Sequence, residues 1–93
     1  MSAASFDCTK AVTPQDKAIC ANRELSMLDE QMASAYRVLL PQLSPNAAGE
    51  VRNDQREWLR WIPKACPDYR AQEADEFADC LRDEYTARTS ELK

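Results

Sequence analysis

Residues 25–43 read Leu25-Ser26-Met27-Leu28-Asp29-Glu30-Gln31-Met32-Ala33-Ser34-Ala35-Tyr36-Arg37-Val38-Leu39-Leu40-Pro41-Gln42-Leu43. Leu25, Leu28, Met32, Ala35, Tyr36, Leu39 and Leu43 recur at steps of three and four, which places them on one face of a helix. Ser26 followed by Asp29 approximates a capping box, with Asp in place of the usual Glu, and predicts a helix from 26 to about 40. Pro41 ends or kinks it.

The same pattern recurs on both sides. Thr13-Pro14-Gln15-Asp16 carries a cap, a proline suited to the first helical position and an early acid, so a short helix is expected over about 14–21. Ser44-Pro45 repeats the cap-proline signal and opens a third helix over about 46–62, with Val51, Gln55, Trp58, Leu59 and Ile62 inward. Pro63 and Pro67 are expected to break the chain around Cys66. A fourth helix is expected over about 71–91, with Ala74, Phe77, Ala78, Leu81, Tyr85 and Leu92 on its apolar stripe. Glu73, Asp75, Glu76, Asp79, Asp83 and Glu84 fall mostly on its other faces. Residues 1–12 read as an extended arm. The 93 residues contain a single Gly, too few for the tight turns of a sandwich or barrel. The expectation is one all-α domain over 1–93: a small antiparallel bundle of three long helices and a short N-terminal one. The short 41–46 connection predicts that helices 2 and 3 pack as neighbours.

The four cysteines form a pair near each end. Eleven residues lie between Cys8 and Cys20 and thirteen between Cys66 and Cys80. An even count in so short a chain reads as a disulfide framework, and disulfides persist in oxidising compartments. Three pairings are open. Local pairing, Cys8–Cys20 and Cys66–Cys80, is preferred because both loops are short. It would tie the arm to helix 1 and the helix 3–4 corner to helix 4. The sequence contains no His, and the gaps are far wider than those of a four-cysteine zinc site, so no metal is expected. A twin-cysteine helical hairpin is disfavoured on the same spacing. A reduced cytosolic protein with four thiols is the alternative to export. The opening Met1-Ser2-Ala3-Ala4-Ser5 lacks the charged and apolar segments of a signal peptide, so Met1 is read as a start placed after a removed signal, in a periplasmic or secreted protein.

The net charge of −4 argues against nucleic acid or an anionic membrane as partner and permits a basic protein. No apolar run is long enough to insert into a membrane. No triad, phosphate loop or cofactor motif is present, so neither an enzyme nor a cofactor is expected. Trp58 fits the core stripe of helix 3. Trp61 does not, and reads as an exposed aromatic anchor or as a rim residue covering the Cys66–Cys80 corner. Asp29 reads as a cap. Tyr36, Gln55 and Arg88 read as an internal hydrogen-bonded network, with Arg88 able to reach a carboxylate such as Asp7 or Asp29.

Taken in order, Ser5-Phe6-Asp7-Cys8, Ile19-Cys20, Leu25, Leu28-Asp29, Met32, Ala35-Tyr36, Gln55, Trp58-Leu59, Cys66, Cys80-Leu81, Tyr85, Arg88 and Leu92 resemble the lysozyme-inhibitor LprI-like domain. The likeness runs from Phe6 to Leu92. It implies a small helical, disulfide-bonded, exported bacterial domain, which in some members inhibits host lysozyme and in many has no established activity. The stretch Arg60-Trp61-Ile62-Pro63-Lys64-Ala65 departs from the family tendency to an Arg and an acidic or amide residue there, and so bears on the choice of partner. The expected role is a protein-binding module that occludes the cleft of a lysozyme or other cell-wall-degrading enzyme, c-type lysozymes being strongly basic. A periplasmic immunity or accessory protein against a toxin, or a purely structural domain, are the alternatives. The binding candidates are Trp61, Lys64, Asp68, Tyr69 and Arg70 at the helix 3–4 corner, with Glu73 and Glu76 on helix 4. Oligomeric state is not legible.

Overall fold

Caps and prolines place the helix starts in the computed structural model, which describes residues 4–67 and 74–93. The Oγ1 atom of Thr13 accepts the Asp16 N–H at 3.1 Å and opens α1, Pro14–Ala21, with Pro14 at its first position. Ser44 Oγ accepts from Ala47 N–H at 3.3 Å and opens α3, Pro45–Ala65. The arm is not wholly extended: Cys8–Lys10 form a 3-10 turn capped by Asp7. The Thr9 hydroxyl and the Thr9 N–H both donate to Asp7 Oδ1, at 2.7 and 2.9 Å, and hold that carboxyl below its usual range.

Helix α2 runs Arg23–Leu39 and starts earlier than its sequence suggests. Asn22, an equally good cap lying upstream, accepts the Leu25 N–H at 3.2 Å. Ser26 is therefore not a cap. It is buried, and its hydroxyl donates to the Ile19 carbonyl at 2.5 Å, satisfying a last-turn acceptor of α1. Asp29 is likewise not a cap: its Oδ2 accepts the Ser5 N–H at 2.6 Å and pins the arm. After α2, a 3-10 turn over Leu40–Gln42 leads to α3.

Pro63 does not break α3, which continues to Ala65. A proline removes only the bond to the residue four back, here the one to the Leu59 carbonyl, and the rest of the last turn can still form. The Cys66 N–H then closes the helix on the Ile62 carbonyl at 2.8 Å. Helix α4 spans Ala74–Leu92.

The core joins all four helices: Ile19 from α1, Leu25 and Met32 from α2, Ile62 and Cys66 at the end of α3, and Phe77, Leu81, Tyr85 and Leu92 from α4. Trp58 meets Tyr85 edge to face, centroids 5.0 Å apart at 75°. Two sequence expectations fail here. Leu59 is 43% exposed, on the flank of α3, because Trp58, Gln55 and Ile62 take the central positions. The closest pair is α2 with α4, not α2 with α3. Helix α3 meets α2 through long side chains, with Gln55 Nε2 3.7 Å from Met32 Sδ, so its backbone stands farther off.

Both local disulfides are formed. Cys8–Cys20 joins the arm to α1 with Cα atoms 5.8 Å apart, and Cys66–Cys80 joins the end of α3 to α4 at 5.6 Å. The only glycine, Gly49, lies within α3 with nothing near the position a Cβ would occupy. Gly49→Ala should therefore stabilise the fold by about 0.5–1 kcal/mol, through helix propensity and lost unfolded-state freedom. Urea unfolding followed by circular dichroism will show it as a higher midpoint. A lowered midpoint would mean that the helix is not regular there.

Candidate functional site

Helix α3 separates its charges. Arg52, Arg56 and Arg60 lie exposed on one flank, while Asp54 and Glu57 face α4 on the other. Across from them α4 presents Glu84, Arg88 and Glu91. The two helices thus bound a groove of about 450 Å³ with Trp58 and Trp61 along one wall. Trp58 is half-buried against Tyr85, whereas Trp61 is 46% exposed.

Arg88 lies in the floor, and its partners differ from the expected Asp7 or Asp29. Its Nε donates to Gln55 Oε1 at 2.8 Å and its Nη1 to Glu91 Oε2 at 2.9 Å. The guanidinium side chain is only 12% exposed, so Glu91 offsets a largely desolvated cation. Gln55 is buried and also meets Met32, which makes the Gln55–Arg88 pair part of the core's polar seam. Tyr36 does not join it. It is half-buried against the core, and among the described residues its hydroxyl makes no hydrogen bond.

The acids of α4 divide by direction. Asp79 and Asp83 lie 3.2 and 3.5 Å from Arg82, which also approaches Glu24 at 3.9 Å. These are exposed pairs that share one guanidinium among three carboxylates, so they contribute little to stability and leave that side of the helix acidic as well. Glu84 turns toward the groove instead. Among the described residues no ion pair forms at Asp54, Glu57 or Glu84, so three carboxylates surround the exposed Trp61 uncompensated.

Of the residues singled out from sequence, Trp61 therefore lines this groove. Lys64 is exposed in the last turn of α3, where its charge suits the helix dipole, and Glu76 is exposed on α4. Asp68, Tyr69, Arg70 and Glu73 lie outside the described residues. Sequence reasoning missed Asp54, Glu57 and Glu91. The signal was present: positions 54, 57, 58 and 61 follow helical spacing and share a face. What was not legible was that α4 would lie opposite that face.

Residues 8–92, nearly the whole chain, match the family described as lysozyme inhibitor LprI. The chain belongs to the lysozyme inhibitor LprI family. No curated protein and no solved structure matches it. The matched span opens on Cys8 and closes on Leu92, so it contains both disulfides, the core and the groove. Membership points to a module that binds protein. Within this LprI-family fold, the α3–α4 groove carries an exposed indole beside acidic side chains. Among the described residues no helix is long and apolar enough to cross a membrane, and no cluster of metal-ligating side chains occurs.

Proposed function

We propose that this protein acts outside the cytoplasm, in the periplasm or secreted, as a non-enzymatic inhibitor of a lysozyme or another cell-wall-degrading enzyme. It would seat the α3–α4 groove against the basic surface around the enzyme's cleft and block entry of the glycan. The supporting observation is the trio of uncompensated carboxylates, Asp54, Glu57 and Glu84, beside Trp61 in a member of an inhibitor family. The carboxylates steer a cationic partner and select it, while the indole supplies the desolvated contact that slows release. Lys64 and Glu76, with Asp68, Tyr69, Arg70 and Glu73, extend the proposed contact around the helix 3–4 corner.

The test is inhibition of cell-wall lysis by a panel of lysozymes and muramidases, using protein with both disulfides confirmed. We expect inhibition at micromolar concentration or better. Trp61→Ala should weaken it by about 30-fold, the effect of a 2 kcal/mol hot spot. Glu57→Lys with Glu84→Lys should slow association and flatten its dependence on salt. All three side chains are exposed or half-exposed, so the fold should survive. Inhibition that these variants leave unchanged would move the contact elsewhere. Absence of inhibition across the panel would remove the function.

A further inference from the structure

On the other flank of α3 lies a separate cavity of about 530 Å³, bounded by the arm, α1, α2 and the Tyr85 end of the core. Its size is that of a small-ligand site. Phe6, Tyr36, Met32 and Leu59 form apolar walls. The floor is polar and deeply buried, with Asp29 4% exposed, Gln55 8% and Tyr85 2%.

The hydrogen bonds of this floor are largely used. Gln15 Nε2 donates to Tyr85 Oη at 2.8 Å, Gln55 accepts from Arg88, and Asp29 accepts the Ser5 N–H. The charge is not matched in the same way. Asp29 is the one buried charged side chain among the described residues, and no described Lys or Arg stands within ion-pair distance of it. Buried charges are ordinarily paired, because desolvation is otherwise uncompensated. Asp7 and Asp16 line the same cavity, and among the described lining residues Lys10 is the single cation. Burial, with Asp29 and Asp16 nearby, also pushes the Tyr85 phenol well above its ordinary range, so its hydroxyl stays neutral and adds no cation or anion to this balance.

We infer that this cavity binds an ammonium or guanidinium group carried on a short apolar stem, with Asp29 as its counter-ion. The cation supplies the charge the floor lacks and brings its own N–H donors. Phe6 and Tyr36 bring aromatic rings to the cavity wall for a cation–π contact, and Met32 and Leu59 pack the stem. The inference does not depend on the α3–α4 groove, since the two sites lie on different flanks of α3. The group could belong to a free small amine or to a Lys or Arg side chain of a bound protein.

Titration of the disulfide-intact protein with n-butylammonium and n-butylguanidinium chlorides, followed by amide ¹⁵N–¹H spectra at constant ionic strength, tests it. Saturable shifts should cluster at Ser5, Asp29, Tyr36 and Gln55, and sodium butyrate should produce none. Asp29→Asn should weaken binding about tenfold, the equivalent of 1.4 kcal/mol. Lys10→Glu changes an exposed rim residue and should tighten binding several-fold, which decides the matter if the Asp29 variant does not fold. To separate the sources, a lysozyme inhibited by the protein is added. Displacement of butylguanidinium from these amides assigns the site to a protein side chain, and simultaneous binding assigns it to a free amine. No saturable shift at these amides in the millimolar range would overturn the inference. So would affinities unchanged by both variants.

Discussion

Replacing Cys66 and Cys80 together by Ser should lower the unfolding free energy by about 3 kcal/mol, within the 2–5 kcal/mol typical of small disulfide-bonded domains. Two causes act together. The bond closes a separation of 14 residues and restricts the unfolded chain. It also lies in the core, with Cys66 only 2% exposed, so a hydroxyl placed there must find a partner or remain unsatisfied. Denaturant unfolding of the variant beside the parent protein measures the loss directly. An unchanged midpoint would mean that this bond carries no stability. The Cys8–Cys20 bond closes a similar separation of 12, but both of its cysteines are only half-buried, so its removal should act mainly on the arm and on Ser5–Asp29.

Leu81→Ala should cost about 2–5 kcal/mol, the range for truncating a buried leucine when the surroundings only partly collapse. Leu81 has no exposed surface and belongs to the core cluster with Leu25 and Met32 of α2. Small domains have only about 5–15 kcal/mol in hand, so this single truncation removes a large share. Urea unfolding with the disulfides intact will show it, and the slope of the transition should stay near that of the parent. A loss under about 1 kcal/mol would place the centre of the core elsewhere. Leu81 neighbours Cys80, so the Leu81 and Cys66/Cys80 variants should not add simply when combined.

Much of the fold was readable because its determinants are local. Thr13 and Ser44 each cap a helix with a proline at the next position, and the structure uses both as caps. The stripes of α2 and α4 deliver Leu25, Met32, Phe77, Leu81, Tyr85 and Leu92 to the core. The errors arose where two local signals competed or where a neighbour decided. Asn22 and Ser26 are both plausible caps, and only the position of the Ile19 carbonyl shows that the Ser26 hydroxyl is needed elsewhere. Pro63 looks like a helix end, yet at the last turn it forfeits only one hydrogen bond. Trp61 could be flagged because it falls off the apolar stripe. Its companions Asp54 and Glu57 could not be told from ordinary solvated acids until α4 brought Glu84 opposite them.

The amino-acid sequence alone determined where α1 and α3 begin and which family this chain joins, and it favoured bonds between cysteines close to one another in the chain, because capping, helical periodicity and short-loop closure act over a few residues. Tertiary structure alone decided that α4 lies closest to α2, that Arg88 meets Gln55 and Glu91 instead of Asp7 or Asp29, and that Asp29 is buried with no described Lys or Arg beside it. Those outcomes depend on side-chain volume and charge meeting across helices distant in sequence, and no local pattern encodes that encounter.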